Sequence, residues 1–480
     1  MDNIGTLALK QDVLIRLVEA FFSDNFEEKT RLIPYDMRPK GSDVPFRCCI
    51  YKERAILRDR VIADLGFSIE DDNEETSLSE YAKEALKREE IDRKVLTVIG
   101  AACKGCVPNR MYVTNLCQGC VARSCVSACK FGAVSIVNGK SYIDSSKCKN
   151  CKMCMAACPY NAIVKIAVPC EDACPVGAIE KDELGLAKID HEKCISCGRC
   201  VKRCPFGAIN ERSQLIDILK NIKAGKKIIA MIAPSIVGQI KGNIYQIKTA
   251  MIKAGFTDVY EVAQGADITT LNEAKEFEER MEKKEPFMTT SCCAGYNELR
   301  KIHLTEINKF ASDTKTPMYY IAEIVKKENP DAKIVFISPC VAKRKEVFEN
   351  ENVDYLMNYR ELQALLEGRK IKAEECEETP FKTESSKQGR NYGVTGGVAG
   401  AVQKAVNNNI EIKPCIINCL NKDTIKQLKK YAKDEACPDG NLIEVMCCEG
   451  GCIGGNATLE QQRIARKSLQ ELLEKSKDIK

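Results

Sequence analysis

Two stretches of this chain repeat one pattern of cysteines. Cys148–Ile163 reads CKNCKMCMAACPYNAI, and Cys194–Ile209 reads CISCGRCVKRCPFGAI. Both follow C-x2-C-x2-C-x3-C-P, and both continue with an aromatic residue and then Ala-Ile. In this pattern three thiolates of a tight loop bind one [4Fe–4S] cluster, while the fourth cysteine reaches a neighbouring cluster. The spacing therefore predicts paired cubanes that carry electrons.

Two further copies of the pattern are altered. Cys117–Val134 reads CQGCVARSCVSACKFGAV, with two extra residues in the middle and Lys130 in place of proline. The other copy is split, because it keeps the C-x3-C-P half at residues 170–175 and takes its C-x2-C half from residues 103–106. Zinc sites usually use two separated C-x2-C pairs instead, so the repeats favour iron–sulfur clusters over zinc.

Sixteen cysteines would then serve four cubanes, and cross-pairing between the copies gives an assignment. The first cluster would take Cys117, Cys120, Cys125 and Cys158; the second Cys129, Cys148, Cys151 and Cys154; the third Cys174, Cys194, Cys197 and Cys200; and the fourth Cys103, Cys106, Cys170 and Cys204. The fourth set is the most widely separated in sequence, so we expect it to be the most fragile. The clusters could serve iron storage or structure, or they could transfer electrons in series. Electron transfer is favoured because a further candidate site follows in the C-terminal region.

The overall composition agrees with metal-binding thiols. The 480 residues include 28 cysteines, two histidines and no tryptophan. No signal peptide is visible at the N-terminus, and the longest apolar run, Ile228–Val237, is too short to span a bilayer. We therefore expect a cytoplasmic protein, in which disulfide frameworks are rare. A net charge of +5 with 44% apolar residues favours a globular protein that binds neither nucleic acid nor membrane.

Three segments of the C-terminal region place cysteine among small residues. They read TSCCAGY at residues 290–296, SPCVAKRKE at residues 338–346 and EVMCCEGGCIGG at residues 444–455. Their glycines let the backbone approach a bulky inorganic group closely. Four thiolates drawn from three loops would hold one more cubane.

These three segments resemble the active-site motifs of the [FeFe] hydrogenases, which read approximately TSCCP-x-W, MPC-x-x-K-x-x-E and E-x-MAC-x-x-GC-x-x-GG. The order, the spacing and the partner residues all match. The resemblance covers the chain from about residue 213 onward and the ferredoxin-like region before it, but not residues 1–98. It implies an H-cluster, in which a cubane is bridged to a two-iron subcluster that carries CO, cyanide and a dithiolate.

The resemblance also implies a role for individual residues. The cubane of the H-cluster would be held by Cys293, Cys340, Cys448 and Cys452, with Cys452 bridging to the two-iron subcluster and Met446 beside the cofactor. Cys292 would pass protons to the amine of the dithiolate instead of binding iron. Lys343 would hydrogen-bond a cyanide ligand, and its charge would stabilise the anionic unit.

A proton route is implied by the helix before the first motif. Glu273, Glu276 and Arg280 stand at i, i+3 and i+7, so they share one helical face. In the family such residues relay protons with a serine between the glutamates, and Ser312 is the nearest match. On spacing alone a charged face in water is the simpler interpretation. Thr270 is predicted to form a capping box with Glu273 at the start of this helix.

Several residues depart from the commonest family pattern. They are Ala294 for proline, Tyr296 for tryptophan, Ser338 for methionine, Cys447 for alanine and Asn456 for glycine. The usual N-terminal [2Fe–2S] domain and the Cys3His cluster motif are also missing. These features resemble a variant clostridial-type subgroup. They leave the ligands intact and put the catalytic bias and oxygen tolerance in doubt.

The sequence predicts three regions. Residues 1–98 read as a small, mainly helical segment of unknown role, with helices at Leu7–Phe22 and Ser77–Lys87. Residues 99–212 would form an α+β ferredoxin-like domain with several [4Fe–4S] clusters. Residues 213–480 would form an α/β catalytic domain with two lobes around the H-cluster. Strands are expected at Lys226–Ile232 and Lys333–Ser338.

Helices are expected in the C-terminal region at Leu271–Lys284 and Arg360–Leu366. Gly393–Val402 would begin a helix near the H-cluster, since it lacks the Gly-Lys-[ST] ending of a phosphate loop. The remaining cysteines are interpreted as ordinary thiols, although Cys415-x3-Cys419 has a possible ligand spacing; they are Cys48, Cys49, Cys376, Cys415, Cys419 and Cys437.

Together these features predict an oxidoreductase that interconverts protons plus electrons with H2. Its partners would be a soluble electron carrier such as ferredoxin and the maturation proteins that install the two-iron subcluster. Two alternatives remain: a non-catalytic iron–sulfur assembly relative of the same fold, and a slow hydrogen sensor. Cys292, as a proton-transferring thiol, and Lys343 argue against the assembly relative. The lack of an added sensory domain argues against the hydrogen sensor.

Overall fold

The computed structural model describes residues 4–41, 45, 47–103, 105–406 and 410–479. The N-terminal segment forms α1 (Ile4–Phe21), α2 (Phe26–Met37), α3 (Ile50–Asp64), α4 (Leu78–Lys87) and strand β1 (Leu96–Val98). Both predicted helices of this segment are confirmed. A capping box begins α4, because the Ser77 side chain accepts from the Glu80 amide and the Glu80 carboxylate accepts from the Ser77 amide.

The N-terminal helices are part of the main hydrophobic core. Val13 and Leu17 of α1 are fully buried, and they share one cluster with Leu362 and Leu365 from the C-terminal region. At the other end of the segment, Arg88 makes a buried ion pair with Asp217. The segment is therefore packed onto the rest of the chain.

The cluster-binding region is built from short hairpins and single-turn helices. Its elements are α5 (Gly100–Cys103), β2 (Arg110–Val113), α6 (Ser124–Ser127), β3 (Val134–Val137), β4 (Lys140–Ile143), α7 (Met153–Ala156), β5 (Ile163–Ile166), α8 (Pro169–Ala173), β6 (Ile179–Lys181), β7 (Ala187–Ile189), α9 (Arg199–Arg203) and β8 (Ile209–Glu211). The antiparallel pairs are β2–β5, β3–β4, β6–β7 and β1–β8. Each of the helices α6, α7, α8 and α9 follows or contains a cysteine of the repeat, as the predicted ferredoxin-like architecture requires.

The C-terminal region alternates strands and helices. Its elements are α10 (Leu215–Lys223), β9 (Ile228–Ile232), α11 (Ile244–Ala254), β10 (Asp258–Glu261), α12 (Val262–Glu282), β11 (Met288–Thr289), α13 (Ala294–Ile302), α14 (Pro317–Glu328), β12 (Lys333–Ile337), α15 (Lys343–Phe348), β13 (Tyr355–Met357), α16 (Tyr359–Gly368), α17 (Lys387–Asn391), α18 (Gly397–Ala405), β14 (Pro414–Ile417), α19 (Lys422–Asp434), β15 (Leu442–Val445) and α20 (Gln462–Glu474). The strands and helices predicted in this region are present.

Two parallel sheets give this region its two lobes. One sheet has the strand order β10-β9-β12-β13, and the other has the order β11-β15-β14. All five residues of β9 are buried, as a strand covered on both faces requires. The α/β class with two lobes is confirmed.

One local prediction is wrong. The helix expected at Leu271 begins at Val262, so Thr270 lies inside α12 and caps nothing. Its hydroxyl donates to the Ala266 carbonyl at 2.8 Å and lies 3.0 Å from the Tyr392 hydroxyl. The first turns of α12 are apolar and rich in small residues because they pack against α14 and α17. They therefore lack the regularly spaced charged residues from which the later turns were predicted to be helical. Among the described residues, no helix is both long and apolar enough to cross a membrane.

Candidate metal centre and proton route

The four predicted ligands of the C-terminal cubane follow the carboxyl ends of parallel strands in both sheets. Cys293 follows β11 and stands at the start of α13. Cys340 follows β12, whereas Cys448 and Cys452 follow β15. Carboxyl ends of parallel strands are where open α/β sheets build their sites. The three motifs therefore meet where the two lobes face each other.

These thiols form one mutually interacting group. Burial raises the pKa of Cys340 well above its ordinary value, and the charges of Cys448, Cys293 and Cys452 raise it further. Burial, Cys293 and Cys448 likewise raise the pKa of Cys452 to about 12. The Cys447 amide donates to Cys293 Sγ at 3.3 Å. Desolvation and mutual repulsion oppose the ionisation of Cys293, Cys340 and Cys452. A positively charged metal cluster would relieve that repulsion, so the donor set fits a cubane.

Two of the accessory cysteine sets also surround a space that a cubane could fill. One cavity is lined by Cys117, Cys120, Cys125 and Cys158, and a second by Cys129, Cys148, Cys151 and Cys154. A single tetrahedral zinc ion would bring its thiolates to about 3.8 Å from one another, given Zn–S bonds of about 2.3 Å. Within the described parts of the chain, none of the predicted sets has three thiols within 4.8 Å of one another. The thiols surround a cavity instead, which suits a cubane and not a single ion.

The other two accessory sets also come together. Cys200 is buried, and its thiol interacts with those of Cys197, Cys194 and Cys174. The burial of Cys170 raises the pKa of its thiol, with added repulsion from Cys204 and Cys103. Cys106 interacts with the same two thiols. The structure thus brings the cysteines of these two sets near one another, and the assignment of the sixteen ligands to four cubanes stays a prediction.

Cys292 lies in an apolar pocket beside the ligand group. It packs with Ala266, Tyr392, Val398 and Met446. Burial raises its thiol pKa well above the ordinary value, and Glu273 and Cys293 add to that effect. The thiol therefore keeps its proton, as a proton donor must before it acts.

Lys343 is buried at the start of α15. Its ammonium donates to Glu346 Oε2 at 2.6 Å. Burial opposes the charge, but Glu346, Cys340 and Cys292 outweigh it and raise the pKa of the lysine. The ammonium therefore remains charged next to the predicted cubane. Glu346 is the last residue of the second motif. Only the structure identifies Lys343 as its partner.

The predicted relay residues lie together along α12. Glu273 is fully buried and accepts from the Ser291 amide at 3.0 Å and from the Ser291 hydroxyl at 3.3 Å. Glu276 accepts from Ser312 Oγ at 2.7 Å and from Thr314 Oγ1 at 2.9 Å. Ser312 is also close enough to Glu273 to lower the pKa of that carboxyl, so it lies between the two carboxylates. The structure therefore brings Ser312 next to Glu276, and its role in a proton relay stays a prediction.

The two carboxylates differ in their protonation. Burial raises the pKa of Glu273 to about 7, because its hydrogen bonds to Ser291 only partly compensate. Its second oxygen has no hydrogen-bond partner. Burial also acts on Glu276, but hydrogen bonds from Ser312, Asp313, Thr314 and Arg280 overcome it and lower the pKa. A neutral inner acid and an ionised outer one are suited to pass a proton inward.

Arg280 closes the outer end of this row. Its guanidinium donates to Glu276 at 3.0 Å and to Glu285 at 2.9 Å. It also donates to the backbone carbonyls of Lys309 and Ala311. Arg280 therefore fixes Glu276 and the Ser312 segment against each other. Sequence analysis did not identify Ser291 and Thr314, which complete the row. The one sequence signal for Ser291 was its position directly before Cys292.

The glycine-rich segment predicted near the centre does begin a helix. Glu444 accepts from the Gly396 and Ala399 amides, which ties α18 to the end of β15. A Cβ on Gly451 would lie 2.7 Å from the Gly393 carbonyl oxygen. Only glycine at 451 permits this approach, and its φ of 88° also favours glycine.

The remaining cysteines differ in their surroundings. Cys415 is buried on β14 and faces Cys437, whereas Cys419 faces Arg199. The two thiols of the possible ligand spacing thus have separate partners. Cys376 is buried, and Cys48 is exposed next to Cys49.

Comparison with known proteins finds matches to family descriptions in both the cluster-binding and the C-terminal regions. Residues 226–456 match the description "Iron only hydrogenase large subunit, C-terminal domain". Residues 165–215 match an "LdpA Fe-S cluster-binding domain", and residues 141–164 match a "4Fe-4S binding domain".

Several curated relatives are hydrogenases. Iron hydrogenase 1 of Clostridium pasteurianum is 26% identical over 322 residues, which cover 55% of this chain and 55% of that protein. The periplasmic [Fe] hydrogenase large subunit of Nitratidesulfovibrio vulgaris is 29% identical over 301 residues, covering 51% of this chain and 72% of that protein. A solved [FeFe]-hydrogenase aligns with a TM-score of 0.44 at 16% identity, over 54% of this chain and 89% of that chain. The match thus spans about half the length of the Clostridium protein.

Proposed function

We propose that the chain is an [FeFe] hydrogenase, which catalyses the reversible reduction of protons to H2. The observation that carries the proposal is the convergence of two sets of residues. Four partly buried thiols fit the cubane of an H-cluster, and a row of acids leads to the uncoordinated thiol beside them. When bound, the H-cluster supplies the redox chemistry that joins protons and electrons into H2.

The protein's own residues position the cofactor and move protons. Cys293, Cys340, Cys448 and Cys452 would hold the cubane, with Met446 packed beside Cys292. Lys343 places a fixed positive charge at the anionic subcluster. The side chains packed around Cys292 are mostly apolar, so protons would reach that thiol through neighbouring groups that carry them.

We propose that protons enter along α12. Arg280 and Glu276 take up the outer position, Ser312 bridges to Glu273, and Glu273 faces Cys292. Each step transfers one proton between hydrogen-bonded or neighbouring groups. Because Glu273 titrates near neutral pH, it can both accept and release a proton under ordinary conditions.

Replacing Glu273 by glutamine tests this route. Glutamine keeps the size and the acceptor for Ser291, but it cannot release a proton. We expect H2 evolution to fall at least about 100-fold, the usual weight of a positioned acid–base group. In the unmodified protein, evolution should decline as the pH rises through about 7, because Glu273 then loses its proton. That inflection should be absent from Glu273→Gln.

The matched control is Glu279→Gln, which removes an exposed carboxylate from the same helix. It should leave both the rate and the pH profile unchanged. Wild-type rates in Glu273→Gln with intact clusters would rule out this carboxyl as a relay.

Electrons would come from a soluble carrier such as ferredoxin and pass through the accessory cubanes. We propose three regions that divide this work: a helical segment at 1–98, a ferredoxin-like domain at 99–212 and a catalytic domain at 213–480. We also propose a cytoplasmic location, no binding of nucleic acid or membrane, and maturation proteins as partners that install the two-iron subcluster.

Iron content tests the cofactor set. Four accessory cubanes and one catalytic cubane hold about 20 irons, and the two-iron subcluster adds two. Protein reconstituted anaerobically should therefore contain about 20 irons per chain by elemental analysis. A value near half of that would contradict the sixteen-ligand assignment, and Cys170→Ala should lose one cubane most readily.

Infrared spectroscopy tests the activity class. Protein produced together with hydrogenase maturation proteins should show absorption bands of metal-bound CO and cyanide, and it should evolve H2 from a reduced carrier. A cubane-binding chain without those bands would be an assembly relative. Bands with very slow turnover would indicate a sensor.

A further inference from the structure

Strand β14 and the turn that follows α19 bring two cysteines and an aspartate together. The ligand atoms of Cys415, Cys437 and Asp439 all lie within 4.8 Å of one another. Cys415 is buried, Cys437 is half-buried and Asp439 is exposed, and both thiols are free. None of the three residues belongs to a predicted set of cluster ligands. The spacing in the sequence suggested Cys419 as the partner of Cys415, whereas the fold supplies Cys437.

The backbone fixes this turn against the strand. The Asn441 amide donates to the Lys413 carbonyl at 2.9 Å, and the Lys413 amide donates to Asn441 Oδ1 at 2.7 Å. A Cβ on Gly440 would collide with the Lys413 carbonyl oxygen and would lie 3.1 Å from the Cys415 amide nitrogen. Glycine at 440 therefore permits the close approach. The three ligand positions are set by main-chain contacts between the turn and β14.

Tyr431 of α19 orients the carboxylate of this group. Its hydroxyl donates to Asp439 Oδ2, and the Gln427 side-chain amide donates to the same hydroxyl. The Tyr431 side chain also belongs to the hydrophobic cluster that contains Cys415. The site thus has an apolar inner side at Cys415 and an exposed outer side at Asp439, from which an ion can enter. Carboxylates that bind metals are commonly held by such a second hydrogen-bonding partner.

The types of donor atom select the metal. Two thiolates and one carboxylate are zinc ligands, whereas calcium and magnesium prefer oxygen ligands alone. Zn–S bonds of about 2.3 Å place two sulfurs of a tetrahedral site about 3.8 Å apart, so atoms within 4.8 Å of one another need to approach by at most about 1 Å. A cubane needs four ligands, and two thiols do not supply them. Three protein ligands leave the fourth tetrahedral position to water.

We propose that Cys415, Cys437 and Asp439 bind one zinc ion, which joins the start of the β14–α19–β15 unit to the turn at its far end. On binding, each of the two thiols releases its proton to water, and no electron is transferred. Strand β15 leads into the third cysteine motif, so the ion would stabilise the lobe that carries this motif without touching the catalytic cubane. The inference does not depend on the proposed function.

The test uses the full chain after its cubanes have been reconstituted. One equivalent of zinc sulfate is added, and loosely bound ion is removed by gel filtration. We expect about one zinc per chain by elemental analysis, with no loss of iron. Zinc K-edge X-ray absorption, which is separate from that of iron, should report two sulfurs at about 2.3 Å and two oxygens at about 2.0–2.2 Å.

Three variants probe the ligands and their support. Cys437→Ser removes the half-buried thiol, and Asp439→Asn changes an exposed carboxylate into a poor zinc ligand that still accepts from Tyr431. Both should lose the zinc while keeping their iron. Tyr431→Phe removes only the partner of the carboxylate, and competition with a chelator should show zinc affinity lowered about 10- to 100-fold.

The matched control is Cys48→Ser/Cys49→Ser, which removes another neighbouring pair of free thiols and should keep the full zinc content. Zinc retained in both Cys437→Ser and Asp439→Asn would overturn the proposal. A shell of four sulfurs would place the ion in an empty cubane site and would overturn it as well, and so would a disulfide between Cys415 and Cys437 in the anaerobic protein. Zinc bound with the expected ligands in a chain that evolves no H2 would defeat the proposed function alone.

Discussion

Replacing Cys340 by alanine is expected to abolish H2 turnover and to remove the spectroscopic signal of the catalytic cubane, while the four accessory cubanes remain. Cys340 is the single ligand that the β12 side contributes, whereas the other three come from the ends of β11 and β15. Its thiol lies among Cys293, Cys448 and Cys452. Its loss leaves an iron without a ligand on that side. Iron analysis, electron paramagnetic resonance and an H2 assay on the same sample measure the three effects.

Cys448→Ala provides an informative comparison. Cys447 is adjacent and its thiol already faces Cys448. Partial retention of the cubane is therefore expected in Cys448→Ala but not in Cys340→Ala, because the latter has no second thiol beside it in its own loop. The double variant Cys447→Ala/Cys448→Ala should lose what the single variant retains. Full activity in Cys340→Ala would contradict the site.

The ligand residues can be proposed from the sequence because cluster chemistry constrains their spacing. A cubane requires thiolates at fixed offsets in tight loops, so the repeats at Cys148 and Cys194 are visible in one sequence. The motif cysteines Cys293 and Cys340 were identified through resemblance, since spacing within the C-terminal region does not by itself bring three distant loops together. The parallel sheets bring these three loops together.

Other features were not predictable because they depend on packing partners. The amphipathic pattern of α1 indicates a buried face, but it does not say that α16 covers it. The start of α12 was misplaced because its apolar first turns show no charged face. Cys447 was recognised as a departure, yet the hydrophobic cluster that contains it packs against Cys197, which is 250 positions away in the sequence. Long-range contacts of this kind leave no local periodicity.

Replacing Cys292 separates proton transfer from metal binding. Cys292→Ala should leave the CO and cyanide bands nearly unchanged while H2 evolution falls at least about 100-fold. Cys292→Asp keeps an exchangeable proton on a short side chain, so it should retain more activity than the alanine variant. Its pH optimum should also move, since a carboxyl and a thiol differ in pKa by about four units. Infrared spectra and rates measured across pH on both variants provide the comparison.

The surroundings of Cys292 make the ranking of these variants decisive. The thiol is packed among apolar side chains, including Val398 and Met446, and a carboxyl there is costly to bury. If Cys292 served only packing, alanine would be tolerated better than aspartate. If it carries protons from Glu273, aspartate gains more from its exchangeable proton than it loses from burial. Higher activity in Cys292→Ala than in Cys292→Asp, with intact clusters in both, would remove this thiol from the mechanism.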